Sequence, residues 1–258
     1  MDLVEHRVTQ SNRLVEASYT LTLNEKRLVL AAASQIDSRK PPHLETGITV
    51  RGESFAAVFG LQPKHAYEVL REAASRLYDR TIREISPMRA GGKVESDVRW
   101  VWKAEYNEGM GSVSIYFTPP VLAHLTKLHR EFTSYQLKQI GGLSSFYAVR
   151  LYEMCQQFHK IGVRHCPLEQ LRSSLNLGDK YTDIRDLRKR VLDPSIKEIN
   201  AQTDLRVEVE VMRQGRKTVG FIFNIERNEQ IALDLADDTE PPVDDHDTPF
   251  ALDEPAIA

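Results

Sequence analysis

The chain has 258 residues, of which 41% are hydrophobic and 28% charged, a composition typical of a globular protein with one or two domains. No run of 18 apolar residues occurs, which excludes a membrane-spanning helix, and the start Met1-Asp2-Leu3-Val4 lacks the basic and apolar parts of a signal peptide. We therefore expect a cytoplasmic protein. Its two cysteines are too few for a disulfide framework.

The net charge of −3 conceals an acidic tail. Residues 228–258 hold ten Asp or Glu and no Lys or Arg, which leaves 34 basic and 27 acidic residues, a net charge of +7, in residues 1–227. A mildly basic body suits a polyanionic partner. The tail contains Pro241, Pro242, Pro249 and Pro255 and is predicted to be disordered. The first dozen residues are also predicted to be loosely held.

The first half of the chain predicts helices and short strands in a definite order. The helices cover residues 22–36, 54–59 and 62–78, and the strands cover residues 48–50, 81–85, 98–106 and 113–117. Thr22 and Glu25 form a capping box at the start of the first helix. Gly60 ends the second helix as a C-cap. The last two strands make a hairpin around Asn107-Glu108-Gly109.

The second half repeats this order after Gly141-Gly142. Its helices cover residues 144–159, 168–175 and 183–200, and its strands cover residues 163–166, 205–211 and 219–225. Each copy runs helix, strand, short helix, long helix and hairpin, which is the order of a winged helix. We predict an α+β fold with two tandem winged-helix domains, over residues 14–135 and 136–227, followed by the acidic tail, 228–258.

The start of the second long helix carries a run of basic residues. With the apolar positions of this helix turned inward, Arg185, Arg188 and Lys189 point outward, and Arg190 extends the run. An α-helix fits the major groove of B-DNA, where Arg and Lys read guanine edges and reach phosphates. A solvated basic face is the alternative, and the winged-helix order around this helix favours DNA binding. Pro194 predicts a kink beyond the basic turns, which leaves this face unaffected.

Further basic residues are candidates for DNA contacts. The tip of the second hairpin carries Arg213, Arg216 and Lys217, which could follow phosphates or enter the minor groove. The alternative is an ordinary polar turn. In the first copy, Lys64 and His65 at the start of the long helix could touch DNA, and a purely structural role is the alternative.

No signature of catalysis, of a metal or of a cofactor is present. Gly91-Gly92-Lys93 lacks the spacing and the Ser or Thr of a phosphate-binding loop, and no H-x-H pair accompanies a Tyr as a nicking site would need. Cys155, His159, His165 and Cys166 lack zinc-site spacing, so core packing is the better interpretation of the cysteines. We expect a protein that is not an enzyme and needs no cofactor.

The tail contains one short motif. In Gln230-Ile231-Ala232-Leu233-Asp234-Leu235, the side chains of Gln230, Leu233 and Leu235 resemble the anchors with which many bacterial proteins dock on the replicative sliding clamp. A fraying tail without a partner is the alternative.

Several segments together resemble the iteron-binding replication initiators of theta-replicating bacterial plasmids, the mini-F initiator-like family. They are residues 21–28, residues 191–192 and 197–200 with the basic run before them, and the second hairpin. The resemblance covers about residues 14–227. It implies an initiator whose monomers bind direct repeats at the plasmid origin. The C-terminal winged helix would make the main contacts, with the family's basic run at Arg188, Lys189 and Arg190.

The resemblance also implies partners beyond the origin repeats. A dimer formed through the N-terminal domain would bind an inverted repeat and repress its own gene, and chaperones would convert it to monomers. Binding would bend the DNA, help to open an A·T-rich stretch and recruit the host helicase and the host initiator. Asp183 and Pro194 depart from the family pattern, as does the acidic tail. A winged-helix transcriptional repressor without a replication role is the main alternative, and a rolling-circle nicking enzyme is the more remote one.

Overall fold

The computed structural model of the protein describes residues 3–40, 44–87, 92–128 and 131–228. The acidic tail from residue 229 onward, with Gln230, Leu233 and Leu235, lies outside the described residues, so the expectations for it stay predictions. Within the described ranges, no helix combines the length and apolar character that a membrane crossing requires.

The first copy contains the predicted helices and strands, together with a strand and a short helix at its start and a two-stranded ribbon. In chain order its elements are β1 (Arg7–Ser11), α1 (Asn12–Glu16), α2 (Leu23–Ala33), β2 (Ile48–Arg51), α3 (Gly52–Phe59), α4 (Pro63–Leu77), β3 (Thr81–Pro87), β4 (Lys93–Arg99), β5 (Val101–Asn107), β6 (Ser112–Phe117) and α5 (Pro119–Ala123). The short strand β2 pairs with β6, the second strand of the hairpin, which gives an antiparallel sheet of order β2-β6-β5.

The second copy repeats this arrangement. Its elements are β7 (Phe132–Gln136), α6 (Phe146–Gln156), β8 (Val163–Pro167), α7 (Leu168–Ser174), α8 (Ile184–Leu187), a π-turn (Arg188–Leu192), α9 (Asp193–Gln202), β9 (Leu205–Gln214) and β10 (Lys217–Arg227). The sheet order, β8-β10-β9, again joins the short strand to the second strand of the hairpin. Two tandem winged helices are therefore confirmed, whereas the boundary between residues 135 and 136 stays a prediction.

The predicted helix ends are present as hydrogen bonds. The Thr22 hydroxyl accepts from the backbone N–H of Glu25 at 3.3 Å, and the Glu25 carboxylate accepts from the backbone N–H of Thr22 at 2.8 Å. Gly60 closes α3 with φ +63°, a left-handed conformation that glycine adopts without strain. The Glu25 carboxylate also accepts from both Nε and Nη2 of Arg80, which ties the start of α2 to the end of α4.

The expectation that the first dozen residues are loosely held is wrong for those that the structure describes, residues 3–12. Strand β1 pairs antiparallel with β7, from Arg7 opposite Gln136 to Ser11 opposite Phe132. Val8 is fully buried in this pairing. The partner strand lies more than a hundred residues away along the chain, so the local sequence gave no sign of it.

The strand predicted over residues 98–106 is interrupted at Trp100. Residues before it, in β4, pair with β3, and residues after it, in β5, pair with β6. The Trp100 side chain is fully buried and packs edge-to-face on Tyr19, with ring centroids 5.0 Å apart. The chain bends at Trp100, and the large side chain lies in the core. The β3–β4 ribbon that results has no counterpart in the described part of the second copy.

A buried ionic cluster joins the two copies. Lys26 of α2 lies 2.8 Å from the Glu153 carboxylate of α6, and Arg150 of α6 lies 3.4 Å from it, all three with fully buried side chains. Gln10 and Tyr135 also donate to Glu153 Oε1, at 2.6 and 2.8 Å. The Glu153 carboxylate is thus paired with two cations and accepts two further hydrogen bonds, as a buried charge requires.

The electrostatics of the cluster favour an ionised Glu153. Burial alone raises the pKa of a carboxyl, but the positive charges of Lys26 and Arg150 outweigh it, so the pKa of Glu153 lies below its usual value. Tyr135 responds in the opposite direction, because burial and the Glu153 charge both raise the pKa of its hydroxyl. The tyrosine is thus a neutral donor beside a charged acceptor.

Candidate nucleic-acid interface

The long helix of the second copy is formed by α8, the π-turn and α9 without a break in the chain of helical residues. Its inward side chains are those of Leu187, Val191, Leu192, Ile196 and Ile199. The helix begins where the Asp183 carboxylate accepts from the backbone N–H of Arg185 at 2.7 Å. Asp183, which departs from the family pattern, is therefore the N-cap of this helix.

The π-turn lies inside the basic run. The backbone N–H of Asp193 donates to Arg188 O, five residues back. Pro194 has no N–H to donate, and a proline ring in a regular α-helix clashes with the carbonyl four residues before it, here that of Arg190. A widened turn relieves this clash. The expectation that the irregularity falls beyond the basic residues is wrong, because the turn includes Arg188, Lys189 and Arg190.

The apolar spacing gives a second reason for the widened turn. Buried positions occur at Leu187, Val191, Ser195 and Ile199, three steps of four residues. An α-helix advances about 3.6 residues per turn, so this pattern drifts by about one residue over three turns. One extra residue in the π-turn keeps the buried side in register. Together with Pro194, this spacing was a sequence signal that could have located the π-turn.

The four basic side chains of the helix differ in exposure and pairing. Arg185, Lys189 and Arg190 are exposed, whereas the Arg188 side chain is only 38% exposed and lies 3.3 Å from the Asp193 carboxylate. Arg190 pairs more loosely, at 3.6 Å, with Asp186. In the described part of the chain, no carboxylate pairs with Arg185 or Lys189. The pairing of Arg188 with Asp193 was not predicted.

The second hairpin places its basic residues next to this helix. A turn at Gly215, with φ +61°, connects β9 and β10, and Arg213, Arg216 and Lys217 are all exposed. A groove of about 430 Å³ separates the helix from the hairpin. It is lined by Asp183, Ile184, Arg185, Arg188, Val211, Arg213 and Thr218. The structure thus brings together Arg185, Arg188 and Arg213, while Arg216 and Lys217 stand at the tip.

The equivalent surface of the first copy has a different charge pattern. Lys64 and His65 are exposed in the first turn of α4, after Pro63. The turn of the β5–β6 hairpin, residues 108–111, contains an acidic residue and no Lys or Arg. Lys64 and His65, the predicted DNA contacts of this copy, therefore have no basic hairpin tip beside them among the described residues.

The cysteines occupy core positions. Cys155 and Cys166 are fully buried, and burial raises the pKa of the Cys155 thiol to about 12. His165 is exposed on the opposite face of β8 from Cys166. Across the described residues, no group of three or more His, Cys, Asp or Glu side chains converges as metal ligands would.

Two successive stretches of the chain match known families. Residues 7–156 match the family described as Initiator Replication protein, WH1, and residues 167–225 match the family described as Initiator Rep protein, WH2. The two matches follow each other along the chain in the order of the two winged helices.

Individual relatives agree with these matches. A protein of Escherichia coli named Replication initiation protein is 24% identical over 234 residues, which cover 88% of this chain and 71% of that protein. The PI protein of Escherichia coli is 25% identical over 228 residues, 77% of this chain and 75% of that protein. A crystal structure of the Pi initiator protein in complex with iteron DNA has the same fold, with a TM-score of 0.73 and 22% identity, over 88% of this chain and 99% of that one. This protein belongs to the family of initiator replication proteins.

Proposed function

We propose that this protein starts the replication of a plasmid by binding repeated duplex sites at its origin. The observation that carries the proposal is the groove in which Arg185, Arg188 and Arg213 converge between the long helix and the hairpin of the second copy. Family membership supplies the biological setting of this basic surface.

The geometry of the second copy suits a major groove. An α-helix with its side chains is about 10–12 Å wide, and the major groove of B-DNA is about 12 Å wide. Arg185 and Lys189 are exposed and have no ion-pair partner among the described residues, so they can meet base edges or phosphates without first breaking an ion pair. Arg216 and Lys217, at the hairpin tip, would reach the sugar-phosphate backbone of the DNA beyond the major groove.

The relatives support repeated sites as the target. The Pi initiator protein was solved on iteron DNA, and its fold extends over 88% of this chain. We extend the proposal to direct repeats bound by monomers, with Lys64 and His65 of the first copy adding weaker contacts. The binding role needs neither a cofactor nor catalysis.

Further partners follow from the family resemblance alone. We propose a cytoplasmic protein whose homodimer is in equilibrium with the monomer, and whose dimer represses its own gene at an inverted repeat. The host helicase, the host initiator and chaperones are the host partners that the resemblance implies, and the sliding clamp is proposed from the tail motif instead. The sliding clamp would bind the peptide that contains Gln230, Leu233 and Leu235.

A maintenance assay tests the proposal against the repressor alternative. The gene and its flanking DNA are placed on a selectable circle that has no other origin, beside the same circle with Arg185→Ala and Lys189→Ala in the gene. We expect maintenance of the first circle and loss of the second. Repression of a reporter without maintenance of the circle would favour the repressor, and a covalent tyrosine–DNA adduct would favour the nicking enzyme.

A further inference from the structure

An acidic side chain stands among the basic residues of the long helix. Arg185, Lys189 and Asp193 follow one another at intervals of four residues, and all three are exposed. Residues four apart share one face of a helix. A carboxylate therefore accompanies the two unpaired cations on the surface that would face DNA, where it repels phosphates.

The widened turn lets Asp193 hold Arg188. Asp193 Oδ1 accepts from Arg188 Nε at 3.4 Å and from Nη2 at 3.3 Å. In a regular α-helix, two residues five apart lie about 140° from each other around the axis, so their side chains diverge. In the π-turn, Asp193 N–H bonds to Arg188 O, which places the two residues one turn apart on the same side. The pair therefore depends on the π-turn.

The pair leaves part of the guanidinium group available. An arginine has five N–H donors in a planar fork, and Asp193 engages only Nε and Nη2 of Arg188. The remaining donors can meet the O6 and N7 acceptors of guanine, which are uncharged. A phosphate in the same place would lie close to the Asp193 carboxylate and would be repelled by it.

We infer that Asp193 is a positioning residue for sequence specificity, which orients Arg188 toward a guanine edge and disfavours its binding to phosphates. This inference rests on the proposed function. It divides the basic run by role. Arg188 would read a base, whereas the unpaired Arg185 and Lys189 could bind phosphates as well as base edges.

The chain offers a matched control on the same helix. Asp186 pairs with Arg190 at 3.6 Å, four residues apart as in an ordinary α-helical pair. Its side chain is 56% exposed, close to the 51% of Asp193. Asp186→Asn therefore removes the same charge from a similar environment without touching Arg188.

The test measures affinity for two duplexes over a series of KCl concentrations. One duplex is the site that the wild-type protein selects from a randomised pool, and the other is a scrambled duplex of the same composition. For Asp193→Asn we expect the ratio of specific to nonspecific affinity to fall about tenfold. The freed Arg188 should also steepen the salt dependence of nonspecific binding by roughly one unit of slope.

A second selection gives a readout that structural damage would not produce. We expect the pool selected by Asp193→Asn to lose a guanine preference at one position of the site. Arg188→Lys, which keeps the charge but not the fork, should lose the same preference. Asp186→Asn should retain it, with an unchanged affinity ratio.

Other results would overturn either the inference or the proposed function. Equal affinity ratios for Asp193→Asn and Asp186→Asn, or an unchanged guanine preference in Asp193→Asn and Arg188→Lys, overturn the inference and leave the proposed function intact. A wild-type protein that selects no preferred site from the pool overturns the proposed function itself.

Discussion

The two winged helices of this chain share a fold and differ in their charges. Their sheets have the same order, β2-β6-β5 in the first copy and β8-β10-β9 in the second. Among the residues that the structure describes, only the second has a basic helix face beside a basic hairpin, with Arg185, Arg188 and Arg213 along one groove. The winged-helix fold therefore supplies a framework, and the side chains on it determine which copy can bind a polyanion.

The exposed sheet face of the first copy carries aromatic side chains and an ion pair. Tyr116 donates to Glu105 at 2.6 Å, Lys103 pairs with Glu105 at 2.6 Å, and Trp102 packs against Tyr116 with ring centroids 5.3 Å apart. The cation and the carboxylate neutralise each other there. Together these four side chains offer aromatic surface without net charge, which is a poor match for phosphates.

The largest effect is expected at the junction between the copies. Glu153→Gln leaves Lys26 and Arg150 buried without a carboxylate, so we expect the free energy of unfolding to fall by about 3–5 kcal/mol. Chemical denaturation followed by circular dichroism measures it. A single shifted transition would mean that the copies unfold together, and two separate transitions would mean that they are independent units.

The control for this variant is Glu105→Gln, on the exposed face of the first copy, where the change in the free energy of unfolding should stay within about 0.5 kcal/mol.

The pH dependence of stability offers a further check on Glu153. Because the pKa of Glu153 is lowered in the folded protein, its contribution is complete above the ordinary value of 4.5 and is lost as pH falls through the folded pKa. The difference between wild type and Glu153→Gln should therefore shrink below pH 4.5, and a constant difference would contradict the ionised state of Glu153.

The next largest effect distinguishes the two long helices. The double change Arg185→Ala and Lys189→Ala should weaken DNA binding about 100-fold and reduce the slope of log affinity against log salt by roughly 2. The matched double change in the first copy, Lys64→Ala and His65→Ala, should weaken binding less than about tenfold. Fluorescence anisotropy with a labelled duplex measures both. A reversed order would assign the main contacts to the first copy.

The smallest effect concerns the hairpin tips. Arg216→Ala with Lys217→Ala should weaken binding several-fold and to the same degree on all sequences, because contacts to phosphates carry no sequence information. In the first copy, Glu108→Lys tests whether the corresponding tip lies near DNA. An affinity gain, measured at low salt, would place that tip close to the backbone, and an unchanged affinity would place it away.

The sequence predicted those parts of the fold that depend on local signals. The capping box of Thr22 and Glu25 and the C-cap at Gly60 are governed by neighbouring residues, and both are present. The pairing of β1 with β7 and the break at Trp100 depend on partners far along the chain, so local patterns missed them.

The same distinction applies to the candidate site. Alternation and helical period predicted that Arg185, Lys189 and Arg213 are exposed. They could not predict that Arg188 is half-buried against Asp193, because a pair five residues apart requires a departure from the helical period on which the prediction was based. Pro194 was the local signal of that departure, and its effect extends backward along the helix rather than forward.

The buried cluster around Glu153 has a consequence for the length of duplex that one molecule covers. Apolar surfaces can slide on each other, whereas hydrogen bonds among Lys26, Glu153 and Gln10 hold only over a narrow range of angles. In a molecule that contacts DNA with both copies, the distance and the rotation between the two contact sites would then be fixed. One base pair inserted between the two contacts would rotate the farther one by roughly 34–36° around the duplex axis, away from the surface that should meet it.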